Sequence, residues 1–181
     1  MFVTDVFVEW LVKRRKSGKE WGMILGAVAL SVVLLYISFQ LAIMLNIPMI
    51  PYFLFFACCY GIYWVWAQLD LEFEYSFTNG DITVDKIINK KKRKRVISFD
   101  AKNVEEIGEV KDAAAAAKLC AGKTNVHRAA ETADGVGGWY IVYSRDGAGK
   151  SLLLFSPNEK FIKAMKPFLP VRVRIDAFGR N

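Results

Sequence analysis

WGMILGAVALSVVLLYISFQLAIML (Trp21–Leu45), then Asn46-Ile47-Pro48, then MIPYFLFFACCYGIYWVWAQ (Met49–Gln68) is the stretch that decides the architecture. Across Trp21–Gln68 there is no Asp, Glu, Lys, Arg or His. A helix rises about 1.5 Å per residue, so Trp21–Leu45 can cross a hydrocarbon core of about 30 Å with some tilt. The second run, Pro48 to about Trp66, is just long enough to return. Only Asn46, Ile47 and Pro48 are left for the corner, which makes the two helices antiparallel neighbours in a transmembrane hairpin. An ion path or proton relay needs ionisable groups at depth. Ser31, Ser38 and Gln40 are the strongly polar groups of the first span, so the hairpin reads as an anchor. Gly22-Met-Ile-Leu-Gly26 and Ala57-Cys-Cys-Tyr-Gly61 each fit the small-xxx-small pattern of close helix approach. They sit at different depths, so each serves a contact between copies or nothing.

Ahead of the first span, Phe2, Val3, Val6, Phe7, Trp10 and Leu11 fall at helical spacing. Asp5, Glu9 and Lys13 form an i, i+4 polar row. With Lys13, Arg14, Arg15 and Lys16 behind it, Met1–Val12 is expected to be an amphipathic helix on the inner leaflet, or else a frayed leader supplying charge. A signal peptide is disfavoured by the length of the apolar run, the lack of a small-residue cleavage site and the second span. Lys13–Lys19 flanks one end of the first span while the connector is uncharged, so the positive-inside rule places both termini in the cytoplasm. Trp21 at the start of the first span, and Tyr63, Trp64 and Trp66 at the end of the second, mark one shared interface.

The net charge of +7 and pI near 9.3 are concentrated in Lys13–Lys19 and Lys90–Arg95. In a membrane protein such clusters face anionic lipid rather than nucleic acid. Cys58, Cys59 and Cys120 have no metal-ligand spacing and form no disulfide framework; they read as reduced packing residues.

From Leu69 the period becomes two. Leu69, Leu71, Phe73, Tyr75 and Phe77 alternate with Asp70, Glu72, Glu74, Ser76 and Thr78, a half-buried strand. Asn79-Gly80 then calls for a type I′ turn, with Thr78 opposite Asp81, Phe77 opposite Ile82 and Tyr75 opposite Val84. Further strands are expected at Arg95–Phe99 and Val104–Val110. Within 111–138, Asp112 and Ala113–Ala117 can start a helix and Leu119–Ala130 can hold a strand. Ala121-Gly-Lys-Thr124 resembles the end of a phosphate-binding loop, but position 117 is alanine where that motif needs glycine, and no strand–loop–helix unit surrounds it. His127, the one histidine, has no Ser, Cys or carboxylate placed to make it catalytic. Strands follow at Gly138–Ser144 and, beyond Asp146-Gly-Ala-Gly149, at Ser151–Phe155. Ser156-Pro-Asn-Glu159 reads as a capping box opening a helix that buries Phe161, Ile162, Met165, Phe168 and Leu169. Val171–Ile175 can pair as an edge strand or fray.

Tyr75–Val84 as a first hairpin, and Leu152–Glu159 running into Phe161–Phe168, carry a resemblance to pleckstrin-homology-like (PH-like) domains. With two preceding spans, the chain resembles an uncharacterised family of bacterial (Firmicutes) membrane proteins with a PH-like domain. The resemblance implies an α+β membrane protein, a two-helix transmembrane hairpin followed by a mainly antiparallel PH-like barrel capped by a C-terminal helix. The segments are then 1–20 (basic N-terminal segment), 21–68 (hairpin), 69–170 (PH-like domain) and 171–181 (tail). Where eukaryotic PH domains bind phosphoinositides they use basic residues in the first hairpin loop. Here that loop is Asn79-Gly80, and the basic loop follows the second strand instead.

These readings point to a membrane-tethered interaction or scaffold module without catalysis, metal or cofactor. The alternative is a binder of anionic lipid headgroups through Lys90, Lys91, Lys92, Arg93, Lys94 and Arg95. The expected partners are the bilayer, a membrane or cytoplasmic protein, and a second copy of the chain. Nucleic acid is not expected.

Overall fold

The computed structural model describes residues 6–121, 125–145 and 149–179. Two compact units divide the chain: Lys16–Asp70, and Met1–Arg15 together with Leu71–Asn181.

The first unit is the hairpin. Helix α1 runs Gly18–Leu45 and α2 runs Ile50–Gln68, both long and apolar enough to cross a membrane. Ser17 caps α1 in a capping box with Glu20, which satisfies two of the backbone donors a helix start leaves orphaned. Asn46, in the left-handed region at φ 54°, ends it, a conformation Asn tolerates better than most residues. Trp21 and Trp66 meet edge to face at 6.0 Å, and the Lys16 ammonium lies 3.1 Å from the Trp66 ring centre. The two ends of the hairpin are therefore held together, a cation–π contact adding to the aromatic pair. The seam between the helices buries Ile24, Ser38, Ala42 and Pro51. A Cβ placed on Gly22, Gly26 or Gly61 would meet nothing within 4 Å, so these three glycines are not points of close approach between the two helices, whereas Ala57 lines a groove shared by both.

In the second unit, β1 (Phe7–Lys13), β2 (Leu71–Thr78), β3 (Asp81–Ile88) and β4 (Lys92–Asp100) form one antiparallel sheet in that order. The hairpin is thus an insertion between two neighbouring strands. The expected N-terminal helix is instead β1, paired with β2 from Phe7↔Thr78 to Lys13↔Glu72; residues 1–5 lie outside the described ones. Val6, Val8, Trp10 and Val12 also alternate, and burial of Val12 against Phe73 and Tyr75 favours the strand over the helical period. The Asn79-Gly80 register is as read: Phe77↔Ile82 and Tyr75↔Val84, with φ 49° and 107° at the two turn residues.

A short 3₁₀ turn, Ala101–Asn103, leads to the second sheet. It contains β5 (Val104–Glu109), β6 (Asn125–Arg128), β7 (Trp139–Arg145) and β8 (Gly149–Phe155), ordered β5-β7-β8-β6 with β6 parallel to β8. The two sheets are separate and do not close into the expected barrel. Their facing sides share a core that includes Tyr75, Phe77, Phe99, Tyr143 and Phe155. Helix α3 (Ala113–Cys120) forms a second cluster with Val142, Leu152 and Leu154. Cover on both faces explains why Leu152–Phe155 is apolar without alternation.

Helix α4 (Glu159–Met165) is capped by Asn158, which accepts from the Phe161 N–H at 2.8 Å, and not by Ser156. Helix α5 (Val171–Phe178) replaces the edge strand or frayed tail. Pro170 opens it, and the Phe178 ring stacks on Trp139 at 5.8 Å.

Candidate functional site

The basic run Lys90–Arg95 is a turn plus the first half of β4, rather than a free loop. Asn89 and Lys90 take φ 49° and 52°, and the Lys91 N–H donates to the Ile88 carbonyl at 3.1 Å. Register then divides the cations. Arg93 reaches Glu74 (Nη2–Oε2, 2.6 Å) and Arg95 reaches Asp85 (Nε–Oδ1, 3.3 Å). Glu74 and Asp85 stand directly opposite each other, a like-charge cross-strand pair that destabilises a sheet. The two guanidiniums offset it, so Arg93 and Arg95 serve the sheet. Lys90, Lys91, Lys92 and Lys94 are exposed and make no ion pair among the described residues.

Position matters as much as charge. Leu71, where the chain re-enters the sheet, pairs with Ile88, which pairs with Lys92. Strands lie about 4.8 Å apart, so the lysines sit at the end of the sheet from which the chain departs for the hairpin.

A groove of about 440 Å³ lies beside β1, between Trp10–Lys13 and Gly137–Trp139, with Ser156 and Pro157 at its margin. Glu131, another lining residue, is tied to Arg15: the Arg15 backbone N–H donates to the Glu131 carbonyl at 2.8 Å and its Nε to Glu131 Oε1 at 2.6 Å. Beneath it the buried Tyr75 hydroxyl donates to the Ala129 carbonyl and accepts from the Ser156 N–H at 3.1 Å. Burial holds this phenol well above its usual pKa, so it stays a neutral donor. Tyr75→Phe keeps the ring and strands two buried backbone groups, which costs about 1–3 kcal/mol. A lowered thermal unfolding midpoint is expected; no change would mean water replaces the hydroxyl.

No group of three or more His, Cys, Asp or Glu residues that could hold a metal ion appears among the described residues. Burial, then the hydrogen bond to Glu106 at 2.6 Å, pushes Tyr140 up to about 12, so this phenol also stays protonated. His127 is a half-buried β6 residue whose pKa burial lowers. Ala121 ends α3; the remaining residues of the phosphate-loop-like run, 122–124, lie outside the described ones, as do 146–148 of the Gly-rich turn. Cys58 and Cys120 are half-buried and Cys59 is exposed.

Sequence reasoning placed the six basic residues together but missed the groove, because it missed β1. Two packed four-stranded sheets with a C-terminal helix define the class of PH-like domains. The chain matches the family described as "Bacterial PH-like domain (DUF6106)" over residues 4–175, and it belongs to that family. The match carries the bacterial and PH-like parts of the resemblance and does not narrow the source to Firmicutes. Neither a curated protein nor a solved structure matches the chain.

Proposed function

We propose that the chain is a membrane-tethered interaction or scaffold module at the inner face of the cytoplasmic membrane, acting by binding and not by catalysis. The observation that carries this reading is the insertion of a helical hairpin, uncharged from Trp21 to Gln68, between the adjacent strands β1 and β2. Strands paired in one sheet must lie on one side of a bilayer, which two spans allow. Lys13, Arg14, Arg15, Lys16 and Lys19 at the departure point favour the cytoplasmic side. Reporter fusions at Met1 and Asn181 are then both internal; an external C-terminus would sink the topology. Co-purification from native membranes should recover a protein partner, and recovery of lipid alone would count against the scaffold role.

The position of the four exposed lysines favours a second reading, contact with anionic headgroups. Each contributes about 1 kcal/mol near such a surface, within a Debye length of roughly 10 Å. Since the hairpin already anchors the chain, this energy orients the domain. In nanodiscs containing anionic lipid, amide exchange at residues 88–94 should slow relative to neutral nanodiscs. Salt should abolish the difference, and so should Lys90, Lys91, Lys92 and Lys94→Gln. Equal exchange in the two lipids would rule out the contact.

A further inference from the structure

Lys92-Arg93-Lys94-Arg95 has a period of two, and β4 sorts it by face. Both arginines turn to the outer side of the first sheet, where they donate to Glu74 and Asp85. The lysines fall on the opposite side, the one from which Phe73, Val84 and Ile97 enter the core. Lys86 of β3 joins them there. It stands directly opposite Lys94 with Phe73 on its other flank, and Lys92 lies in the next row, opposite Ile88. Directly opposite residues have Cβ atoms about 5 Å apart, and same-face neighbours along a strand are about 7 Å apart. Three long side chains at those spacings can bring their ammoniums to one point. Like charges set opposite each other destabilise a sheet. On the outer side the arginines offset that cost. On this side nothing does, since Lys86, Lys92 and Lys94 make no ion pair among the described residues. Packing does not demand the cluster either: Lys86 is half-buried, and Lys92 and Lys94 are exposed.

We propose that Lys86, Lys92 and Lys94 form a seat for one phosphate group, carried as an ester. A phosphate offers several acceptor oxygens to converging donors, and lysine serves it as a point charge where arginine serves carboxylates as a fork. The division of KRKR between the two faces follows that difference. The inference deepens the headgroup reading above and rests on it for the source of the phosphate, not for the seat itself. Membership also departs from the run of basic sequence: Lys90 and Lys91, in the turn, lie outside the seat, whereas Lys86, four residues before the run, belongs to it.

The test titrates the full chain, in dodecyl maltoside micelles that carry no phosphate, with glycerol phosphate by calorimetry. One equivalent should bind saturably, and more weakly as salt rises. Lys86→Gln and Lys94→Gln should each weaken binding about tenfold or more, the weight of one hydrogen bond to a charged group. Lys90→Gln with Lys91→Gln should change it less than about twofold, because those ammoniums act only through screened distance. A second readout needs no ligand. Lys86→Gln removes the repulsion from Lys94 and should raise the thermal unfolding midpoint, whereas loss of a merely structural lysine would lower it. Phosphatidylglycerol added to the micelles should compete with the soluble ester, and a neutral diacylglycerol should not. Competition assigns the phosphate to a lipid headgroup. Its absence leaves the seat to a soluble ester and overturns the headgroup reading alone. The proposal itself is overturned if no saturable binding occurs, or if Lys86→Gln leaves binding unchanged. Equal dependence on Lys90 and Lys91 overturns it too.

Discussion

A fragment beginning at Leu71 is expected not to fold, whereas a chain in which a four-residue Gly/Asn linker replaces Lys16–Asp70 should be a soluble domain with cooperative unfolding. The fragment lacks β1. Its loss uncovers the β2 edge, removes the buried Val12 and the partly buried Val6 and Val8 from the core, and breaks the ladder from Phe7↔Thr78 to Lys13↔Glu72. Burying one such side chain contributes about 1.5–3 kcal/mol. Three of them are a large share of the roughly 5–15 kcal/mol by which a domain is stable. The linker restores the pairing at small cost: Arg14 and Leu71 are already hydrogen-bonded partners at 3.0 Å, and hairpin loops of about five residues are common. Circular dichroism melts and size exclusion of the two proteins make the comparison. A monomeric fragment melting within a few degrees of the linked domain would show that β1 is dispensable.

Phe161→Ala should cost about 3–5 kcal/mol, the usual loss for a large core aromatic, and more than Phe168→Ala. Phe161 is wholly buried and meets Tyr75 and Phe77 of β2 and Phe155 of β8 edge to face at 6.1–6.2 Å. One ring on α4 thus joins both sheets. Phe168 is half-buried, with Phe77 as its ring partner at 5.2 Å. Denaturant unfolding of the linked domain measures both variants, and an equal or larger loss at Phe168 would displace Phe161 as the closing residue.

The hairpin and the Asn79-Gly80 strand pair were readable because each rests on local evidence. The first is an uncharged run of sufficient length; in the second, a turn needing positive φ coincides with uninterrupted alternation. β1 was not readable, since Phe7–Lys13 carries both a helical and a strand period and its partner lies beyond the whole hairpin in sequence. The charge of Lys90–Arg95 was plain. Its division was not, because Glu74 and Asp85 become partners of Arg93 and Arg95 only through a register that includes the bulge beside Val84. At Val171–Ile175 alternation favoured a strand, and the stacking of Phe178 on Trp139, a tertiary contact, favours the helix.

The hairpin also bears on the order in which the chain can mature. β1 is synthesised first and can find no partner until both apolar helices have been made. Closing a flexible loop of about 55 residues, instead of one of about four, would add roughly 2 kcal/mol of entropy cost. Packed helices whose ends are clasped by Lys16, Trp21 and Trp66 remove most of that difference by delivering Arg15 and Leu71 side by side. If the hairpin enters a membrane as proposed, insertion becomes a step on the folding pathway of the domain, and a chain that fails to insert should also fail to assemble its first sheet.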